Sequence, residues 1–245
     1  MNTNKLIVAL DVDNAQKARE LFTALRGVVG MFKIGMQLFT AAGPDLVREI
    51  VNSGERVFLD LKYHDIPNTV ALAGIEATRL GVSIFNIHAL GGSEMMRRTA
   101  EAVSECAAAE GLARPLVIAV TILTSANEAT VSEIGFESGP SELAPRLALL
   151  AEASGMDGVV ASPREIVMIR DAVKKPGFVV VTPGVRPTGA ALFDQKRVTT
   201  PREAILQGAD YIVVGRPILE ATDPVRAAQE ILAEMELSAA NSVMI

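Results

Sequence analysis

Short apolar runs alternate with longer amphipathic segments along the whole chain. Eight of these runs predict strands, because they are short, rich in β-branched residues and almost free of polar interruptions. They are KLIVAL (5–10), MFKIG (31–35), RVFLD (56–60), SIFNI (83–87), LVIAVT (116–121), DGVVA (157–161), FVVVT (178–182) and YIVVG (211–215). The segments between them, such as AQKARELFTALR and PDLVREIVNSG, have the apolar spacing of helices that cover a core.

This alternation predicts an α/β protein, a single-domain (β/α)8 TIM barrel over residues 1–245. Strands that are apolar at nearly every position are buried on both faces, as in a parallel sheet covered by helices. The last eight residues, SAANSVMI (238–245), are expected to form a loose tail. A doubly wound open sheet is the competing fold, but Asp11-Val12-Asp13 follows strand one in place of a Gly-rich dinucleotide-binding turn.

Composition narrows the class of ligand. The net charge of −6 argues against a broad nucleic-acid or anionic-membrane surface, although it leaves room for a small anionic ligand. The apolar runs are far shorter than the roughly 20 residues of a membrane span. The first residues, MNTNKLIVALDVD, lack the pattern of a signal peptide, so we expect a cytoplasmic protein.

Charged residues stand where several strands end, and in a barrel these ends meet at one mouth. In VFLDLKYHDIPNT (57–69), Asp60 and Lys62 are two positions apart and should share a face of an extended segment. Lys33 comes from the neighbouring strand. A buried cluster of this kind is costly unless its charges pair, so the pattern predicts a functional site at the mouth.

Other strand ends add Asp11, Asn86, Thr121 and Thr124, together with His88, which either orients the cluster or satisfies a backbone group. TPGVRP and VVGRPI follow strands seven and eight, where barrels of this type usually bind phosphate. Gly215, Arg216 and Arg186 are therefore predicted to hold an anion. The long segment GVRPTGAALFDQKRVTTP (184–201) is interpreted as a lid.

The motifs FKIG, DLKYHDIPNT, NIHALGG, VTILTS, TPGVRP and VVGRPI together resemble the bacterial type of orotidine 5′-phosphate decarboxylase. The resemblance runs from LIVALDVDN (6–14) to IVVGRPI (212–218). It implies decarboxylation of orotidine 5′-monophosphate (OMP) to UMP and CO2, the last step of de novo pyrimidine nucleotide synthesis, with no metal or other cofactor.

The resemblance also implies roles for individual residues. Lys62 would stabilise and protonate a C6 carbanion, within a charged network of four catalytic residues: Lys33, Asp60, Lys62 and Asp65. Asp65 would reach the neighbouring subunit's site together with Ile66 and Thr69, which makes the protein a homodimer with shared sites. The remaining substrate contacts would be Asp11 and Lys33 to the ribose, Thr124 to the base, and Gln195, Arg186, Gly215 and Arg216 to the phosphate.

Two other functions remain open. Sugar-phosphate decarboxylases such as 3-keto-L-gulonate 6-phosphate decarboxylase share the spacing of Asp60, Lys62 and Asp65. Those enzymes need Mg²⁺ held by carboxylates, one of them a Glu at the end of strand two, where this chain has Lys33. A barrel that binds a nucleotide without catalysis is the second alternative, and a turnover assay distinguishes it.

Overall fold

The structure is a computed structural model that describes residues 5–187 and 199–236. Within this part of the chain the strands are β1 (Leu6–Ala9), β2 (Met31–Gly35), β3 (Val57–Tyr63), β4 (Ile84–His88), β5 (Leu116–Val120), β6 (Gly158–Val160), β7 (Val179–Pro183) and β8 (Tyr211–Val214). All pairs are parallel, and β1 pairs with both β2 and β8, which closes the sheet. The predicted (β/α)8 barrel is confirmed.

Helices follow the strands on the outside of the barrel. They are α1 (Ala15–Leu25), α2 (Met36–Asn52), α3 (Pro67–Arg79), α4 (Gly92–Glu110), α5 (Glu128–Glu133), α6 (Pro140–Ala153), α7 (Ile166–Ala172), α8 (Pro201–Leu206), α9 (Arg216–Leu219) and α10 (Pro224–Glu236). Among the described residues, no helix has the length and apolar content needed to cross a membrane. The predicted tail and residues 188–198 of the predicted lid lie outside the described residues, so the domain limits 1–245 stay a prediction.

Two apolar layers account for the continuous apolar strands. Residues that point into the barrel form one cluster: Ile7, Ala9, Met31, Phe58, Ile84, Ile118, Val120, Val160, Val181 and Val213. Their neighbours along the strands, such as Val8, Phe32 and Leu59, pack against the helices in the larger outer cluster. Since side chains alternate along a strand, Lys33, Asp60 and Asn86 occupy the next inward positions after Met31, Phe58 and Ile84. The barrel interior therefore changes from apolar to polar towards the carboxyl ends of β2, β3 and β4.

The opposite end of the barrel carries charges that hold strands together. Asp157 precedes β6, accepts the N–H of Val117 at 2.8 Å and pairs with Arg114 at 2.8 Å. Asp210 precedes β8, accepts the N–H of Val180 at 2.7 Å and pairs with Arg170. The carboxylates at this end accept backbone N–H groups where strands begin, so their role is structural. The charges at the mouth contact one another instead.

A buried carboxyl group stands at the end of β6. Glu165 closes the one-turn helix Pro163–Glu165, where its side chain accepts the N–H of Ser162 at 2.9 Å, and the residue is only 6% exposed. Burial raises its pKa from 4.5 to about 7, and the Ser162 N–H lowers the pKa too little to cancel this. Between those two pH values the folded chain keeps a proton that the unfolded chain has released.

We therefore expect Glu165→Gln to change how stability depends on pH. Wild-type stability should fall as pH rises from 5 to 8, by on the order of 3 kcal/mol, because each unit of pKa shift is worth about 1.4 kcal/mol. Glutamine keeps the acceptor for Ser162 and cannot ionise. The free energy of unfolding of the variant should therefore lose this dependence on pH. Urea unfolding at both pH values measures it, with Glu133→Gln on the exposed face of α5 as the control. If the free energy of unfolding of Glu165→Gln fell between pH 5 and 8 as much as that of wild type, Glu165 would not be the group responsible.

Candidate active site

A cavity of about 510 Å³ opens at the mouth of the barrel, where the carboxyl ends of the strands meet. Its floor is apolar and includes Ala9, Phe58, Val160 and Val213. The structure brings eight of the predicted site residues together in its wall: Asp11, Lys33, Asp60, Lys62, Thr124, Arg186, Gly215 and Arg216.

Three charged side chains form a compact cluster in this wall. The Lys62 ammonium lies 2.6 Å from Oδ1 of Asp60, and the Lys33 ammonium lies 3.2 Å from Oδ2 of the same carboxylate. Lys33 also donates to Oδ1 of Asp11 at 2.9 Å. The exposed fractions of the side chains are 9% for Lys33, 12% for Asp60 and 25% for Lys62, so the cluster is largely removed from water.

Pairing overrides burial in setting the charge of this cluster. Burial favours the neutral form of Lys33, but the nearby Asp60 and Asp11 carboxylates outweigh it and raise the pKa of Lys33 above its ordinary value. Burial likewise disfavours the Asp60 carboxylate, yet Lys33 and Lys62 outweigh it and lower the pKa of Asp60. The site therefore presents a fixed carboxylate between ammonium groups at neutral pH.

Gly35 makes room for the Lys33 ammonium. A Cβ at position 35 would stand 3.0 Å from Nζ of Lys33 and 3.2 Å from Oδ1 of Asp11. Both distances are shorter than ordinary contacts, so a side chain here would push the Lys33–Asp11 pair apart. Gly35 pairs with Asp60 across β2 and β3, which places this free space directly beside the cluster.

The backbone at Lys62 differs from the prediction. Lys62 has a φ of 53°, and it is the only residue other than glycine with a positive φ among those described. The β3–β4 register shifts between Leu59 and Tyr63. Asp60 and Lys62 do come together as predicted. The predicted reason, that side chains two positions apart in a regular extended strand share a face, was wrong. They meet through an irregular strand end, in a left-handed conformation that costs roughly 1–2 kcal/mol for a side-chain-bearing residue.

Two residues of β4 adjoin the cluster. Asn86 is fully buried; it donates to Oδ1 of Asp60 at 2.7 Å and accepts the N–H of Lys62 at 2.8 Å. Its place at a strand end could be predicted from the sequence, but its two bonds to the cluster could not. His88 stacks on His64 with ring centroids 5.2 Å apart, and burial, His64 and Lys62 lower its pKa below 6.5. His88 therefore adds no positive charge to the cluster at pH 7.

The predicted anion-binding residues Arg186, Gly215 and Arg216 line the same cavity as the cluster. Arg186 follows β7, and its backbone N–H donates to the carbonyl of Thr199 at 3.2 Å. Gly215 follows β8 and directly precedes the short helix α9, which begins at Arg216. A guanidinium group from each of two neighbouring loops thus lines one cavity, and the binding of a phosphate there stays a prediction.

Three other predicted site residues do not line this cavity. Asp65, Ile66 and Thr69 are exposed, and Oδ1 of Asp65 accepts the N–H of Ile66 at 2.7 Å. Gln195 lies outside the described residues. Within residues 5–187 and 199–236, no three His, Cys, Asp or Glu side chains are grouped as ligands for a metal ion.

Comparison with known proteins identifies the family of this chain. The model of the "Orotidine 5'-phosphate decarboxylase / HUMPS family" matches residues 4–231. The chain belongs to this family. Two relatives named orotidine 5′-phosphate decarboxylase, from Syntrophotalea carbinolica and Geobacter sulfurreducens, are 57% and 56% identical. These matches cover 94% of this chain, and 94% and 95% of the respective relatives. The crystal structure of a family member from Lactobacillus acidophilus superposes with a TM-score of 0.83 at 36% identity, covering 94% of this chain and 98% of the other.

We expect Asp60→Asn to destabilise the fold, because it leaves two ammonium groups facing an uncharged amide. Removing one partner of a buried pair costs several kcal/mol, so the free energy of unfolding at pH 7 should fall by about 3 kcal/mol. The effect should shrink in acid, because a carboxylate with a lowered pKa loses its contribution as pH falls below its ordinary pKa of 3.8.

Asp11→Asn is the matched control, because Asp11 pairs with the same lysine but its side chain is 55% exposed. Its cost should stay below about 1 kcal/mol. Urea unfolding at equal protein concentrations gives both values. A more stable Asp60→Asn protein would mean that the cost of burying the carboxylate exceeds the stabilisation from its pairing with the two lysines.

Proposed function

We propose that this protein converts OMP to UMP and CO2, the last step of de novo pyrimidine nucleotide synthesis. The observation that carries the proposal is the pair of ammonium groups held on either side of the buried Asp60 carboxylate. Relatives with the name orotidine 5′-phosphate decarboxylase, at more than half identity over most of the chain, support the choice of substrate.

The cluster suits the chemistry of this substrate. When the bond between C6 and the carboxylate breaks, its electron pair stays on C6 in an orbital that the ring does not delocalise. An ammonium group beside C6 stabilises this charge more strongly in a closed site than in water. Lys62 takes this role and then gives C6 a proton, which solvent restores to its amine. Asp60 holds Lys62 in place and lies next to the departing carboxylate.

The rest of the cavity orients the nucleotide. Asp11 and Lys33 bind the ribose, Thr124 contacts the base, and Arg186, Gly215 and Arg216 bind the phosphate. These residues line one cavity, with the apolar floor under the base. Phosphate binding far from C6 supplies free energy for assembling the reacting end, and Gln195, outside the described residues, stays a predicted phosphate contact.

No metal is needed in this mechanism. The Lys33 ammonium lies within 2.9 Å of Asp11 and 3.2 Å of Asp60, and so occupies the space between two carboxylates in which a Mg²⁺ ion would sit. This contact favours OMP over the substrate of a Mg²⁺-dependent sugar-phosphate decarboxylase, which is the second candidate function.

The active unit is a homodimer in which each subunit completes its partner's site. Asp65 and Ile66, just before α3, and Thr69, in its first turn, are all exposed. Ile66 and Leu72 are large apolar residues that are 67% and 55% exposed, as residues at a subunit contact are in an isolated chain. Asp65 of one subunit then reaches the reacting end of the other subunit's site.

The function is tested by mixing the purified protein with OMP in EDTA and following ultraviolet absorbance. Wild-type protein should form UMP and CO2 rapidly. Lys62→Ala should lower kcat by at least about 10⁴-fold, because charge stabilisation and proton donation are lost together, while UMP still binds. Turnover of a keto-sugar phosphate only after Mg²⁺ is added would support the second candidate function instead.

The shared site is tested by mixing inactive variants. Lys62→Ala and Asp65→Asn should each be inactive alone, but random pairing gives mixed dimers with one intact site, and about a quarter of wild-type activity should return. A mixture of Lys62→Ala with Asp60→Asn should recover nothing, because both residues belong to one subunit's cavity. Equal recovery in the two mixtures, or none in either, would argue against sites built across a dimer.

A further inference from the structure

Asn86 is a polar residue in the barrel interior whose side chain contacts both members of the Asp60–Lys62 pair. It follows Ile84 at the next inward position of β4, and none of its surface is exposed. Its Nδ2 donates to Oδ1 of Asp60 at 2.7 Å, and its Oδ1 accepts the backbone N–H of Lys62 at 2.8 Å. One carboxamide therefore links a side chain and a backbone group that lie two positions apart on another strand.

The bond to Lys62 replaces a missing strand contact. Leu59 pairs with Phe85 and Tyr63 pairs with Ile87, so four steps along β3 correspond to two steps along β4. Within this irregular stretch, the Lys62 N–H points to the Asn86 side chain, while Lys62 adopts its left-handed conformation. The position of the Lys62 side chain depends on this backbone conformation, since a change of φ would swing it away from the cavity.

The bond from Asn86 to Asp60 fixes which carboxylate oxygen faces each lysine. Oδ1 of Asp60 accepts from both Asn86 and the Lys62 ammonium, at 2.7 Å and 2.6 Å, while Oδ2 faces Lys33 at 3.2 Å. A donor fixed on the barrel wall prevents rotation of the carboxylate that would exchange the two lysines. Because the amide is neutral, it orients these charges without changing the net charge of the cluster.

We propose that Asn86 is a positioning residue that aims the Lys62 ammonium at the reacting carbon, by fixing both the Lys62 backbone and the Asp60 carboxylate. The inference rests on the proposed decarboxylation. Asn86 lies beneath the cluster and does not line the cavity, so it acts through Lys62 and Asp60 and not on the substrate. Its loss should therefore affect the chemical step more than nucleotide binding.

Asn86→Leu and Asn86→Asp test this role in different ways. Leucine has a similar size but removes both hydrogen bonds, whereas aspartate keeps the acceptor for Lys62 and places a second carboxylate beside Asp60. We expect kcat for OMP to fall about 100-fold in both variants, the loss that a displacement of about 1 Å produces. The KM for OMP and the Kd for UMP should stay within about threefold of wild type.

The rate at which the C6 hydrogen of UMP exchanges in D2O is a second measurement. It reports proton transfer at C6 without CO2 release. It should slow in parallel with kcat. Thr99→Val is the control for a general loss of stability. Thr99 is also fully buried, but its hydroxyl donates to Met95 within α4, far from the cavity wall. This variant should keep wild-type kcat and exchange.

The outcomes separate this inference from the proposed function. If wild-type protein does not turn over OMP, the proposed function fails. If wild-type protein is active and Asn86→Leu keeps its kcat, only the role of Asn86 is overturned. It is also overturned if kcat and UMP affinity fall together, or if neither Asn86 variant binds UMP while Thr99→Val does, because Asn86 would then support the barrel as a whole.

Discussion

Two ammonium groups can be buried side by side only when a carboxylate lies between them, and Asp60 meets this requirement at the mouth of the barrel. The attraction of Lys33 and Lys62 outweighs the cost of burying the carboxylate, and its pKa falls as a result. Several local features follow from this one requirement. A Cβ at position 35 would crowd the Lys33 ammonium, and the buried Asn86 donates to Asp60. A charged cluster of this kind is preorganised before any ligand arrives.

The cavity is asymmetric, and the asymmetry matches the proposed chemistry. β2, β3 and β4 supply charged or polar side chains above the apolar layer, whereas β6 and β8 present Val160 and Val213 to the same space. The apolar floor of the cavity excludes water and lowers the local dielectric constant, which strengthens the effect of the charges on a reacting carbon. Arg186 and Arg216 follow β7 and β8, so in the proposed function the phosphate and the reacting carbon contact residues from different loops.

Much of this arrangement could be predicted from the sequence because it depends on local rules. Continuous apolar runs marked all eight strands, and the rule that strand ends meet at one mouth placed Lys33, Asp60, Lys62, Arg186 and Arg216 in one cavity. The irregular end of β3 could not be predicted, because no glycine or asparagine marks the left-handed position at Lys62. That conformation depends on a bond from another strand, and the sequence alone does not show which distant side chain reaches a given N–H.

Asn86 shows why such a residue is overlooked. In SIFNI (83–87) it reads as a single polar interruption of a buried strand, which is equally compatible with a satisfied core amide. Its significance comes from geometry, since the shift in register brings it opposite both Asp60 and the Lys62 N–H. A buried amide also costs free energy unless both of its groups are bonded, and here both bonds go to the reactive pair. The barrel thus satisfies the buried Asn86 amide with the same hydrogen bonds that hold the charged cluster in place.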